Sequence, residues 1–111
     1  GGFLPPIKAD GSGIYNQGRM LPVKFQLTDA NGSFVSSAIT RLYIAKIDNG
    51  TVGQDEVLSS IPPAETNTFR YDFRENLYIY NLDISKMSRG GWQLKAVLDS
   101  GQVYTAIISI R

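Results

Sequence analysis

The stretch "GGWQLKAVLDSGQVYTAIISIR" (Gly90–Arg111) decides the fold. Trp92, Leu94, Ala96 and Leu98 alternate with Gln93, Lys95 and Val97, the period of two expected of a strand with one buried face. Ser100-Gly101 reads as a two-residue hairpin turn, and "QVYTAIISIR" as the closing strand. Upstream, "RENLYIYNLDI" turns at Glu75-Asn76 and runs a strand in which Tyr78, Tyr80 and Leu82 share a face. "SKMSRGG" between the two is a short turn or a single helical turn. Phe69, Tyr71 and Phe73 alternate with Arg70 and Asp72.

The first half has the same period. Leu21, Val23, Phe25 and Leu27 alternate with Pro22, Lys24 and Gln26, and "DANG" follows with Asn31-Gly32 suited to a positive φ. "ITRLYIAKI" is the next strand, closed by Asp48-Asn49-Gly50. The polar stretch from Gly50 to Pro62-Pro63 is irregular, since paired prolines do not sit in a central strand. No window sustains a period of 3.6. About seven short strands with turns at this spacing predict an all-β chain, an antiparallel β-sandwich.

Composition narrows what such a sandwich can do. At 111 residues the chain fits one domain, expected over residues 14–111, with residues 1–13 ("GGFLPPIKADGSG") as a linker or junction within a longer protein. Eleven Lys and Arg against ten Asp and Glu leave a net charge of +1, so no basic patch points to nucleic acid. No apolar run reaches the length of a membrane span, so membrane insertion is not expected. The chain has no Cys and no His, which removes disulfides, thiolate nucleophiles and the commonest general base and metal ligand. No cofactor is expected.

"LPVKFQL", followed by "YD", "YIYNL" and "GGWQLKAVLDSGQVYTAIISI", resembles the PxKF-type domain of bacterial and archaeal secreted and surface proteins. The name matches Pro22-Val23-Lys24-Phe25, and the pattern continues through Tyr71-Asp72, Tyr78 and Tyr80, Gly91-Trp92, and Asp99 with Gly101. The resemblance runs from roughly the linker to the C-terminus and matches poorly over residues 50–67. It implies an immunoglobulin-like sandwich, extracellular or at the cell surface, beside other domains of the same polypeptide, and it brings no catalytic residues. The Cys pair of some members is absent here.

Four candidate sites follow, each with a plainer alternative. Lys24 faces away from Val23 and Phe25. An intramolecular isopeptide bond would need it buried beside Asp72, Asn81 or Asp99 with an acid to move protons. The plainer reading is a strand lysine with its stem on an apolar neighbour and its head in water. Tyr43 is the aromatic whose face is least certain, because Tyr43, Ala45 and Ile47 oppose Leu42 and Ile44. Exposed, it would stack a sugar ring of a polysaccharide; Tyr78, Tyr80 and Trp92 share faces with leucines and read as core.

Asp48, Asn49, Asp55 and Glu56 gather enough oxygen for a weak calcium loop, against a solvated loop. "LTDANG" lacks the first acidic ligand of a calcium loop, and a turn explains it better. The sequons at Asn31 and Asn49 read as Asn-Gly turns. Asp72 and Glu75 are an acid/base pair only if a pocket forms around them, and Gly11-Ser12-Gly13 lacks the second half of a phosphate loop. The leading expectation is a non-catalytic accessory or spacer module, the alternative a carbohydrate- or surface-ligand-binding module, and the third an enzyme built on carboxylates.

Overall fold

A computed structural model describes residues 2–8, 10–57 and 67–111. Among the described residues eight strands form: β1 (Ile14–Tyr15), β2 (Met20–Phe25), β3 (Thr40–Asp48), β4 (Thr51–Val52), β5 (Arg70–Asp72), β6 (Leu77–Asp83), β7 (Gly90–Leu98) and β8 (Val103–Ile110). A 3₁₀ turn at Ile84–Lys86 joins β6 to β7, with the Asp83 carboxylate accepting the Ser85 N–H at its start. The strands make two sheets, a five-stranded one ordered β1-β8-β7-β3-β4 and a three-stranded one ordered β2-β6-β5. All pairs are antiparallel except β1 with β8.

Alternation explains the sandwich. Leu21, Val23 and Phe25 point inward opposite Leu82, Tyr80 and Tyr78 of the neighbouring strand. From the other sheet come Leu42, Ile44, Trp92, Leu94, Ala96, Leu98, Ala106, Ile108 and Ile110, and the two sets form one buried cluster. Phe25 is the aromatic centre. Its ring stacks on Tyr78 at 5.0 Å and meets Phe69 and Tyr104 edge-on at 5.3 and 5.2 Å.

The layout is that of an immunoglobulin-like sandwich, with β2, β6 and β5 in one sheet and β3, β7 and β8 in the other. Such domains carry a tyrosine near the start of the penultimate strand, bonded to a backbone carbonyl a few residues upstream. Near the start of β7 the Trp92 indole N–H donates to the Ser88 carbonyl, four residues upstream, at 2.8 Å. The inter-sheet disulfide of antibody domains has no counterpart in a chain without Cys, and apolar side chains such as Val23 and Leu94 fill the core instead.

Three local expectations need correction. The described part of residues 1–13 is no linker. Phe3 bridges to Phe25, the Leu4 N–H donates to the Lys24 carbonyl at 2.8 Å, and Ile7 is 2% exposed. Tyr15 ties the segment down by donating its phenol O–H to the Pro6 carbonyl. The β7–β8 connection is a three-residue loop, Asp99 to Gly101: Leu98 N–H bonds to the Gln102 carbonyl, and Gly101 closes the turn at φ 93. Phe73 lies past the end of β5 on the turn to β6, so it is 75% exposed rather than in phase with Phe69.

Other turns follow their residues. Asn49 and Gly50 both take positive φ, 52 and 79, and make the β3–β4 hairpin. Asp29 holds the "DANG" turn, its carboxylate accepting the N–H groups of Asn31 and Ser33, with Gly32 rather than Asn31 at positive φ. The expectation for Pro62-Pro63 falls outside the described residues.

Candidate functional site

Lys24 lies on the outer face of the three-stranded sheet, half-buried, directly across from Ile79 with Arg70 next in the row. The three residues weighed as isopeptide partners are dispersed. Asn81 pairs with Pro22 on the same face and is exposed. Asp72 caps the β5–β6 turn by accepting the N–H groups of Arg74 and Glu75 at 2.9 and 3.4 Å. Asp99 stands in the β7–β8 loop of the other sheet, where its N–H donates to the Ile39 carbonyl. An isopeptide bond needs a buried pair, and here Lys24 is only half-buried and Asn81 is exposed.

Tyr43 is on the outer face of the five-stranded sheet, across from Lys95. It lines a groove of about 210 Å³ together with Ile39, Arg41, Val97, Leu98 and Asp99. Lys95 is fixed to Asp55 by a 2.8 Å ion pair, and Arg41 donates to Thr68 Oγ1 at 3.1 Å. The groove is smaller than the roughly 300–1,000 Å³ of small-molecule sites. Both signs of charge border it.

The four residues weighed for calcium do not converge on one loop. Asp48 and Asn49 belong to the β3–β4 hairpin. Glu56 extends the sheet instead, exchanging both backbone hydrogen bonds with Ile44 at 2.9 and 2.6 Å, and Asp55 is held by Lys95. Among the described residues no group of three acidic side chains could hold a metal ion. Asp72 and Glu75 share a turn, with Asp72 engaged by backbone amides.

Residues that none of these expectations singled out line a second concavity, larger than the Tyr43 groove. Phe3, Leu4, Gln26, Leu27, Thr28, Gln102 and Tyr104, with Gly2, surround about 490 Å³ at one end of the sandwich. Three chain segments contribute, and no spacing in the sequence links them.

Three phenols titrate late. Burial pushes Tyr15, Tyr78 and Tyr80 above the ordinary tyrosine value. The Asp10 and Asp83 carboxyls are held below the usual aspartate value, chiefly by hydroxyl hydrogen bonds from Ser12 and Ser85.

No family model matches the chain, and no curated protein matches it. Among solved structures it is similar to a chain of the ZIG-8–RIG-5 IG1–IG1 heterodimer in its monoclinic form. The two are 10% identical, over 98% of this chain and 90% of that one, with a TM-score of 0.33. At that level of likeness nothing about binding or assembly passes from one to the other.

Proposed function

We propose that this immunoglobulin-like sandwich is a non-catalytic spacer module of the PxKF type, within a larger secreted or cell-surface prokaryotic protein, where it sets the separation of neighbouring domains. The observation that carries the reading is the placement of the two ends. Phe3 sits beside Phe25 and Tyr104, at the pole of the β7–β8 loop. Arg111 sits at the other pole, where its carbonyl accepts the Gln17 N–H at 2.8 Å and its side chain reaches Asn16. β8 runs between them, eight residues and so roughly 25 Å of strand. Domain termini are often close together. Ends at opposite poles suit a bead threaded between neighbours.

The chemistry of the polar side chains agrees with a passive role. His and Cys are absent, and Asp10, Asp29, Asp72 and Asp83 each accept a backbone N–H close by in the chain. Carboxylates used as turn caps leave little for acid/base work.

The test is a distance between the flanking domains of the parent protein, measured by spin-label dipolar spectroscopy with and without this module. The expected result is a shortening on deletion comparable to the length of β8 between the two poles, roughly 25 Å. Flanking domains that touch each other across its side, with an unchanged separation on deletion, overturn the reading.

A further inference from the structure

We infer that the cleft at the Phe3 pole binds a neutral oligosaccharide. Its volume, about 490 Å³, falls inside the range of small-molecule sites, and three separate segments build it: residues 2–4, residues 26–28 and the β7–β8 hairpin through Gln102 and Tyr104. Among the described residues no charged side chain lines it. A charged ligand entering would lose hydration with no counter-charge to replace it.

The polar lining consists of two primary amides and two hydroxyls, from Gln26, Gln102, Thr28 and Tyr104. Each of these groups both donates and accepts hydrogen bonds. That suits a ligand whose own rim is made of hydroxyls, which do the same. Gln26 is oriented from behind, its Nε2 donating to the Glu75 carbonyl at 3.3 Å. Gln102 and Thr28 are exposed.

Two rings complete the site. Phe3 and Tyr104 meet edge-on at 6.4 Å, and both rest on the buried ring of Phe25, at 6.4 and 5.2 Å. Neither is fully buried. Rings fixed from beneath offer aromatic surface to an apolar C–H face at little further cost in side-chain entropy. A ligand with an apolar ring face and a neutral hydroxyl rim is a sugar. The Tyr43 groove, with less than half the volume and Arg41 and Asp99 at its border, meets neither condition as well.

This site is independent of the spacer reading, and a failed binding experiment leaves the domain-separation measurement untouched. The experiment titrates ¹⁵N-labelled protein with neutral gluco-, manno-, xylo- and chito-oligosaccharides and, in parallel, with a sulfated oligosaccharide. Saturable shifts confined to residues 2–4, 26–28 and 101–104, for at least one neutral sugar and not the sulfated one, are the expected result. Gln26→Ala with Gln102→Ala, both at exposed side chains, should weaken that sugar at least tenfold with unchanged melting, whereas Tyr43→Ala should leave its affinity unaltered. No saturable binding by any neutral sugar, or preference for the sulfated one, overturns the inference. So does loss of binding on Tyr43→Ala, or a longer parent chain in which preceding residues fill the cleft.

Discussion

Lys46 is held at two points, by the turn that precedes β7 and by a ring of β7 itself. Its ammonium donates to the Arg89 carbonyl at 2.6 Å and lies 5.1 Å from the centre of the Trp92 ring, its partner in register across the sheet. Gly90 makes room for this. Its φ is +119, and a Cβ there would stand 2.8 Å from Lys46 Nζ. Gly90→Ala should therefore destabilise the fold by about 1–3 kcal/mol, the scale of one strained backbone residue. Part of that loss comes from pushing the ammonium off its carbonyl and ring, worth about 0.5–1 kcal/mol for an exposed cation–π contact. Urea unfolding of Gly90→Ala, Lys46→Met and the double variant separates the two contributions. The double variant should lose less than the sum, and strict additivity would rule out the steric link. Trp92 itself was legible as core from its phase with Leu94 and Leu98. Its lysine partner was not, because register across the 45 residues between them is set by packing and not by local pattern.

The N-terminal segment is the element the sequence hides best. "GGFLPPIKADGSG" has the glycines and prolines of a linker, yet Ile7 is 2% exposed and Phe3 packs on rings at positions 25 and 104. Its reason for order is tertiary: an apolar side chain in a Pro-rich run finds a hole only once two sheets exist. Ile7→Ala should cost about 2–5 kcal/mol, as for other fully buried aliphatic side chains. A true linker position would stay within about 0.5 kcal/mol. Denaturant midpoints at a fixed slope decide between the two. The strands were easier to read, because each faces one core and the period of two shows in Leu21-Val23-Phe25 and in Trp92-Leu94-Ala96-Leu98 alike. Their ends were harder. Phe73 keeps the alternation of β5 although the chain has already turned, and Asp99 belongs to a loop the sequence makes look one residue shorter. The cleft was not legible at all, since its two amides sit 76 positions apart in residues with no motif of their own.

At the scale of the molecule, two responses follow from how the sheets close on each other. The first is to alkali. Tyr15, Tyr78 and Tyr80 have phenols raised by burial above the ordinary value near 10. The folded state thus holds these protons more tightly than the unfolded one. The stability this gives is complete below about pH 10 and is lost as pH rises through the folded values. Thermal melts should be level from about pH 7 to about pH 9 and fall beyond about pH 10. The fall should be shallower in Tyr78→Phe, which also gives up the hydrogen bonds of Tyr78 to Val35 and Ala38 at 2.6 and 3.1 Å. A melting temperature insensitive to alkali would contradict the burial of these phenols. The second response is to force, and it is where a spacer would be tested by use. With the ends at opposite poles, tension draws β1 toward one pole and β8 toward the other, although the two strands run parallel. Besides the ladder of the paired residues themselves, their clasp includes three hydrogen bonds at its margins: Ser109 N–H to the Gly13 carbonyl at 3.0 Å, Arg111 N–H to the Tyr15 carbonyl at 3.0 Å, and Gln17 N–H to the Arg111 carbonyl at 2.8 Å. Parallel strands pulled this way are sheared, so the bonds share the tension, whereas strands peeled from one end break theirs in turn. Gln17→Pro removes one of these marginal donors and should lower the unfolding force in single-molecule extension. Asp29→Ala, in a turn away from the clasp, loses two carboxylate–amide bonds and should lower equilibrium stability by about 1–3 kcal/mol with little effect on that force. If Asp29→Ala weakens the extended molecule as much as Gln17→Pro does, the resistance lies in global stability and the β1–β8 clasp is not its source.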